Sequence, residues 1–430
     1  MDYLDFILAA QKLGEPRGIP SICSAHLFVL KATFRHGLAQ NTPVLVEATC
    51  NQVNQFGGYT GMTPADFVTY VHGIAAQANY PLDRLILGGD HLGPNVWQNE
   101  PAASAMQKSV KMVQAYVRAG FTKIHLDASM CLSDDPPGGL PPELIAKRTA
   151  QLAKVAEEAA PDKNRLRYVI GTEVPVPGGA FVGQETEGMH ITLPEDVEQT
   201  IGMTRRFFNE QGLEAAWQRV MAVVVQPGVE FGDDFVLEFH PDLASSLSKY
   251  IEAEPHLIYE AHSTDYQTRQ SLHNMVRGHF AILKVGPALT FSLREAVFAL
   301  ANIEKELFQA DQCSNLPQVL NDAALRRPEY WMKYYRGTSE EQAFKRKYSL
   351  SDRIRYYWSD PMVQKAFGHL LNNFGNTPLP LTLLSQYLPG QYAHIRGGCL
   401  QNNAHDILMD RVMDVLEDYE NACSIQGGGQ

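Results

Sequence analysis

The side chains with the most chemical potential in this chain come in short clusters, each at the end of an apolar run. Asp90-His91 follows Leu85-Ile86-Leu87-Gly88-Gly89, while His125 and Asp127 sit two residues apart, as do Glu260 and His262. Residues two apart on a strand share a face, so each such pair presents two donors to one space. Carboxylates and imidazoles that meet in one place can hold a divalent cation or move protons. Glu173 lies inside the apolar run from Tyr168 to Val174, where an unpaired carboxylate is costly and calls for a cation, a metal or a raised pKa. Plain alternatives exist for each. Asp90-His91 also reads as a strand-end cap beside a surface histidine, and His125 with Asp127 as a buried hydrogen-bonded pair. Gly178-Gly179 and Gly286 either leave backbone N–H groups free for a phosphate or simply make tight loops. Lys123 and Lys284 have no evident neighbour that would depress either pKa for Schiff-base chemistry.

Eight runs rich in Val, Ile and Leu must position these groups: residues 19–25, 43–48, 84–88, 123–127, 168–174, 221–226, 256–261 and 281–285. Near-continuous apolar runs are what a parallel sheet buried on both faces requires. Helix signals lie between most of them. Thr63-Pro64 gives a cap and a first-turn proline, and Ala102 to Ala119 has helical spacing and stops at Gly120. Residues 143–160 and 195–211 read the same way. The alternation predicts an α/β fold, a (β/α)8 TIM barrel over residues 1–292. A doubly wound open sheet is the runner-up, but Ser21-Ile22-Cys23-Ser24-Ala25-His26 lacks the glycine-rich turn that fold uses for phosphate. From 293 to 430 only helical patterns follow, including stretches near 294–308 and 322–335. They predict a helical extension packed on the barrel. Barrel chemistry sits at the C-terminal ends of the strands, where the titratable clusters fall.

The chain has 430 residues, with 48 acidic against 36 basic side chains and a formal net charge of −12. Such a surface repels polyphosphate, so no nucleic-acid partner is expected. No stretch approaches the roughly 18 apolar residues of a membrane span, and the start Met1-Asp2-Tyr3-Leu4-Asp5-Phe6 has no signal character. The six cysteines form no Cys-x-x-Cys pair, which fits a reducing compartment, so a cytoplasmic location is expected.

The strand-end set resembles the class II, metal-dependent ketose-bisphosphate aldolases: Asp90-His91, Asp127-Ala128-Ser129, Glu173 with Gly178-Gly179, and Lys284-Val285. Longer strings are similar to the Z-type subunit family of D-tagatose-1,6-bisphosphate aldolase, members of which were once labelled tagatose-6-phosphate kinases. These strings are residues 47–64, 171–179, 259–268 and 348–358. The resemblance implies Asp90 and Glu173 as acid/base groups. It places Glu47, Asn51, Asp127, Ser129, Gly178, Gly179, Ser263, Thr264, Lys284, Gly286 and Arg353 around a ketohexose phosphate. Catalytic aldolases hold zinc with three histidines, whereas here only His91 matches cleanly. Gln226 stands where a second histidine is expected, and Glu260, with His262 two residues on, where the third is. The implied ligands are therefore His91, Gln226, Glu260 and His262, an oxygen-rich set for zinc or a harder divalent cation. Two functions follow from the resemblance. One is a subunit that supports a catalytic Y-type partner in galactitol and amino-galactose catabolism, within an oligomer. The other is a metal-dependent 4-epimerase of ketohexose 6-phosphates. No Gly-x-x-x-x-Gly-Lys-Ser/Thr loop is present to suggest a kinase.

Overall fold

All eight apolar runs fold as parallel strands, and in the computed structural model they close into one barrel. Residues 2–136, 140–172 and 191–424 are described. The strands are β1 (Ile19–Ile22), β2 (Val44–Thr49), β3 (Leu85–Leu92), β4 (Lys123–Leu126), β5 (Arg167–Gly171) and β6 (Val220–Val225). A two-stranded antiparallel ribbon, β7 (Glu230–Phe231) and β8 (Val236–Leu237), precedes β9 (Ile258–Ala261) and β10 (Phe280–Val285). The barrel runs in chain order, with β6 beside β9 and β10 closing onto β1, where Ser21 aligns with Lys284. Every residue of β6 is buried, as expected of a strand covered on both faces.

The helix Tyr3–Lys12 closes the floor of the barrel. Leu4 and Ile7 pack with Ile19, Leu45, Val169, Ile258 and Ile282, residues near the strand starts. A two-pronged ion pair from Arg167 of β5 to Asp5 (2.6 Å for each contact) fastens that helix in place. The expected helices at 63–77, 102–119, 143–160 and 195–211 form, the first with a complete Thr63–Asp66 capping box.

After β10, the helix Pro287–Leu307 runs unbroken across position 292, and no strand follows it among the described residues. The helix expected at 322–335 instead runs over Leu316–Arg326. Pro328 lacks the N–H that would continue it, and a short 3-10 turn follows. The helix Ala404–Cys423 lies against the helices Leu27–Gln40 and Arg269–Arg277 and against β1. Those helices follow β1 and β9, the first and seventh barrel strands, so this helix fills the eighth place of the outer ring. Gly18 N–H donates to the Cys423 carbonyl (3.0 Å), and Tyr419 Oη donates to the Thr264 carbonyl (2.7 Å). Tyr419→Phe leaves that carbonyl only the longer contact from the Gln267 amide (3.4 Å) and is expected to cost about 0.5–1.5 kcal/mol, read from the urea midpoint at unchanged slope. No helix of the described residues is long and apolar enough to cross a membrane.

Candidate active site at the barrel mouth

Above the apolar floor the inward faces turn ionic. Two residues beyond Leu45, Ile258 and Ile282 on their strands stand Glu47, Glu260 and Lys284, and Lys123 opens β4. Lys123 Nζ lies 2.6 Å from Glu47 Oε1 and 2.5 Å from Glu260 Oε2, with all three side chains fully buried. Burial alone would pull the Lys123 ammonium down, but Glu260 and Glu47 outweigh it and hold it above its ordinary value. Gly88 makes room for this group, since a Cβ there would overlap the Glu47 carboxylate.

One layer higher, Asp90 joins three imidazoles. Adjacent residues on a strand ordinarily point to opposite faces, yet Asp90 and His91 face one space. His91 has a left-handed backbone (φ 47°), and the β3–β4 register shifts between Gly89 and Leu92. Such a conformation costs a non-glycine residue about 1–2 kcal/mol and re-aims the side chain. Gly93 lets the end of β3 approach β4, because a Cβ there would strike the Asp127 carbonyl. The ring centroids of His91, His125 and His262 are 4.8–5.4 Å apart.

Each imidazole is fixed by an acceptor on one side. His91 Nδ1 donates to Asp127 Oδ2 (2.9 Å), His125 Nε2 to the Gly171 carbonyl (3.0 Å) and His262 Nε2 to Glu260 Oε1 (3.0 Å). Carbonyls and carboxylates only accept, so these tautomers direct His91 Nε2, His125 Nδ1 and His262 Nδ1 towards the shared space. His125 Nδ1 faces both Asp90 Oδ1 (2.9 Å) and the His91 amide (3.2 Å). Lys284 Nζ also contacts Asp90 Oδ1, while Oδ2 makes no hydrogen bond among the described residues and lies 3.7 Å from His91 Nε2. Burial would raise the Asp90 carboxyl, but His91, Lys284, His125 and His262 together hold it well below its ordinary value. Burial pulls His91 down against the pull of Asp90, which favours the neutral, ligating ring. Burial opposes ionisation of Asp127 as well, but hydrogen bonds from His91 and Ser129 keep its carboxyl low.

Asp90, His91, His125 and His262 bring ligand atoms within 4.8 Å of one another, so this buried group can hold a metal ion. Three imidazoles and a carboxylate, with a second carboxylate or carbonyl behind each ring, fit zinc or a similar first-row dication. This group shares His91 and His262 with the expected set, and Glu260 falls in a second buried group, with Glu47 and Asp90, whose oxygens lie within 4.8 Å of one another. Glu260 supports His262 from behind and pairs with Lys123, and Gln226 Oε1 accepts from the amides of Gly228 (2.9 Å) and Val229 (3.0 Å).

A cavity of about 600 Å³ opens over the cluster. Asn51, Asp90, His91, His262, Ser263, Lys284 and Gly286 line it from the barrel, and Tyr330, Lys333, Arg353, Arg355 and Tyr356 roof it from the extension. Glu47 and Glu260 lie buried beneath, and Thr264 spends its hydroxyl on the Lys284 carbonyl (2.6 Å). Asp127, Ser129 and Gln226 line a neighbouring cavity of about 430 Å³. Glu173, Gly178 and Gly179 lie outside the described residues. Sequence reasoning left three residues unassigned. His125 shares the inward face of β4 with Lys123, which was its available signal. Asp265 caps the helix after β10 through the Gly286 and Ala288 amides (3.0 and 2.8 Å), and burial pushes its carboxyl up to about 6. Arg355 had no signal beyond its place in a basic, aromatic run.

A protein from Sinorhizobium meliloti 1021, described as a probable tagatose 6 phosphate kinase, is 44% identical with a TM-score of 0.87, over 95% of this chain and 100% of that one. The YdjI aldolase of Escherichia coli K12 (11% identity, TM-score 0.45; 87% of this chain, 97% of that one) and the fructose-bisphosphate aldolase of Campylobacter jejuni (12%, 0.44; 86% and 89%) are far more distant. Likeness at that level says nothing about chemistry. Residues 4–424 match the family described as D-tagatose-1,6-bisphosphate aldolase subunit GatZ/KbaZ-like, and the chain belongs to that family.

Proposed function

We propose that this chain is itself a divalent-metal-dependent enzyme of ketohexose phosphates, interconverting fructose 6-phosphate and tagatose 6-phosphate at C4. The observation that carries the reading is the Asp90–His91–His125–His262 cluster, in which every imidazole is oriented by its own acceptor beneath a cavity with a cationic roof. His91, His125 and His262 would hold the cation, which when bound supplies Lewis-acid polarisation of the substrate carbonyl and hydroxyls. The rest falls to the chain's own side chains. Asp90 Oδ2 takes the proton of the C4 hydroxyl. The C3–C4 bond then breaks with its electrons passing towards the C2 carbonyl, and re-addition to the other face of the aldehyde inverts C4 as the proton returns. The Lys284 ammonium holds Asp90 ionised between steps. Glu173, which follows the end of β5, is the second acid/base group in this proposal. Asn51, Ser263, Gly286 and Arg353 line the cavity around the sugar, and the extension keeps water from the exposed intermediate.

The purified chain, given fructose 6-phosphate with zinc, manganese or magnesium, is expected to form tagatose 6-phosphate. Asp90→Asn should reduce turnover by about 10²–10⁴-fold. A second reading is favoured by family membership: a Z-type subunit that supports a Y-type aldolase partner in cytoplasmic galactitol or amino-galactose catabolism. No conversion with any cation, together with a rise in a Y-type subunit's aldolase activity on mixing, would establish that reading instead.

A further inference from the structure

We infer that Arg355 anchors the substrate's phosphate, on the wall between the mouth cavity and a side chamber closed by Trp358. The inference rests on the ketose-phosphate reading above. Arg355 lines both the mouth cavity and the chamber of about 470 Å³, as do Cys23, Gln52 and Tyr59, so the two spaces share one wall. Its guanidinium is held by neutral groups. Nη1 donates to the Ser351 carbonyl (2.5 Å) and the Asp352 carbonyl (3.1 Å), and Nη2 to Tyr356 Oη (3.1 Å). The nearby Asp352 carboxylate is already taken, by Arg294 Nε (2.8 Å) and Thr290 Oγ1 (2.6 Å). Arg355 therefore has a fixed position, no carboxylate partner among the described residues, and two N–H groups unspent, on Nε and Nη2. A rigid, uncompensated fork is what bidentate recognition of phosphate requires.

The chamber supplies a second observation. Trp358 is buried (4% exposed), lines it, and has an indole Nε1 with no hydrogen-bond partner among the described residues. A buried donor without an acceptor is costly, and in this inference a phosphate oxygen entering the chamber is the acceptor that it lacks. Arg353 is placed differently: it stacks on Tyr334 and donates to the Tyr330 carbonyl (3.2 Å), which docks the roof. Tyr356 stacks on Tyr330 (4.8 Å) and meets Tyr59 edge-on (4.7 Å), which holds the run bearing Arg355 against the barrel.

The test is equilibrium binding of inorganic phosphate, fructose 6-phosphate and fructose to the full chain by calorimetry. The wild type should bind phosphate and prefer fructose 6-phosphate to fructose. Arg355→Met should weaken both phosphate-bearing ligands by about 10–100-fold and leave fructose unchanged. Arg355→Lys keeps the charge without the fork and should fall between, and Trp358→Phe should lose several-fold. These two serve if the methionine variant fails to fold. Phosphate binding that is absent from the wild type, or indifferent to Arg355 and Trp358, overturns the inference. Arg355-dependent binding in a chain that converts no ketose phosphate would uphold the anchor and overturn the enzyme reading alone.

Discussion

Replacing Lys123 by methionine is expected to destabilise the protein by about 3–5 kcal/mol, the usual cost of breaking a buried ionic group from one side. Its ammonium stands between Glu47 and Glu260 with no solvent access to any of the three. Without it, two carboxylates face each other in the barrel interior. Chemical denaturation at neutral pH reads the loss, and adding Glu47→Gln and Glu260→Gln to Lys123→Met should recover much of it. The sign with pH is also fixed. In the wild type the Glu260 carboxyl is held well below its ordinary value, burial being outweighed by Lys123 and His262. That contribution is complete above the unfolded carboxylate range and fades only as pH falls through the lower folded value. In Lys123→Met the cation that outweighs burial at Glu260 is gone and its carboxyl rises, so the variant should gain stability relative to wild type as pH drops from 7 to about 4. A variant as stable as wild type at neutral pH would show that the three charges are not a mutually dependent unit.

The second large effect concerns metal. His91→Ala removes a ring whose ligating nitrogen is set by Asp127, and zinc affinity should fall by more than about 100-fold. Asp127→Asn keeps the ring but weakens the acceptor behind it, and should cost about 10–100-fold. Competition against a chromophoric chelator measures both. Equal affinity in wild type and His91→Ala would place any bound metal elsewhere.

The barrel was legible because each strand is a near-continuous apolar run ended by polar residues, a pattern few other folds impose. The site was legible where period two holds. Glu260 and His262 face one space as their spacing requires, and they also bond to each other. Legibility failed where backbone geometry departs from the period. The left-handed turn at His91 brings neighbouring residues to one space, and nothing in the letters Asp-His announces it. The partners of Lys123 lie on β2 and β9, across the barrel, so its pairing depended on strand order rather than local sequence. Gln226 is the opposite case, its Oε1 accepting from the amides of Gly228 and Val229 in its own loop.

The helix Ala404–Cys423 completes the outer ring beside β1, the first barrel strand. During synthesis, therefore, β1 (Ile19–Ile22) and the helix that covers it (Ala404–Cys423) emerge from the ribosome at opposite ends of the chain. Until that helix arrives, β1 and the helix Leu27–Gln40 keep an apolar flank open to water and to other nascent chains. Closure over so long a separation is slow and leaves time for misassociation, which makes this seam the place where a chaperone would matter most.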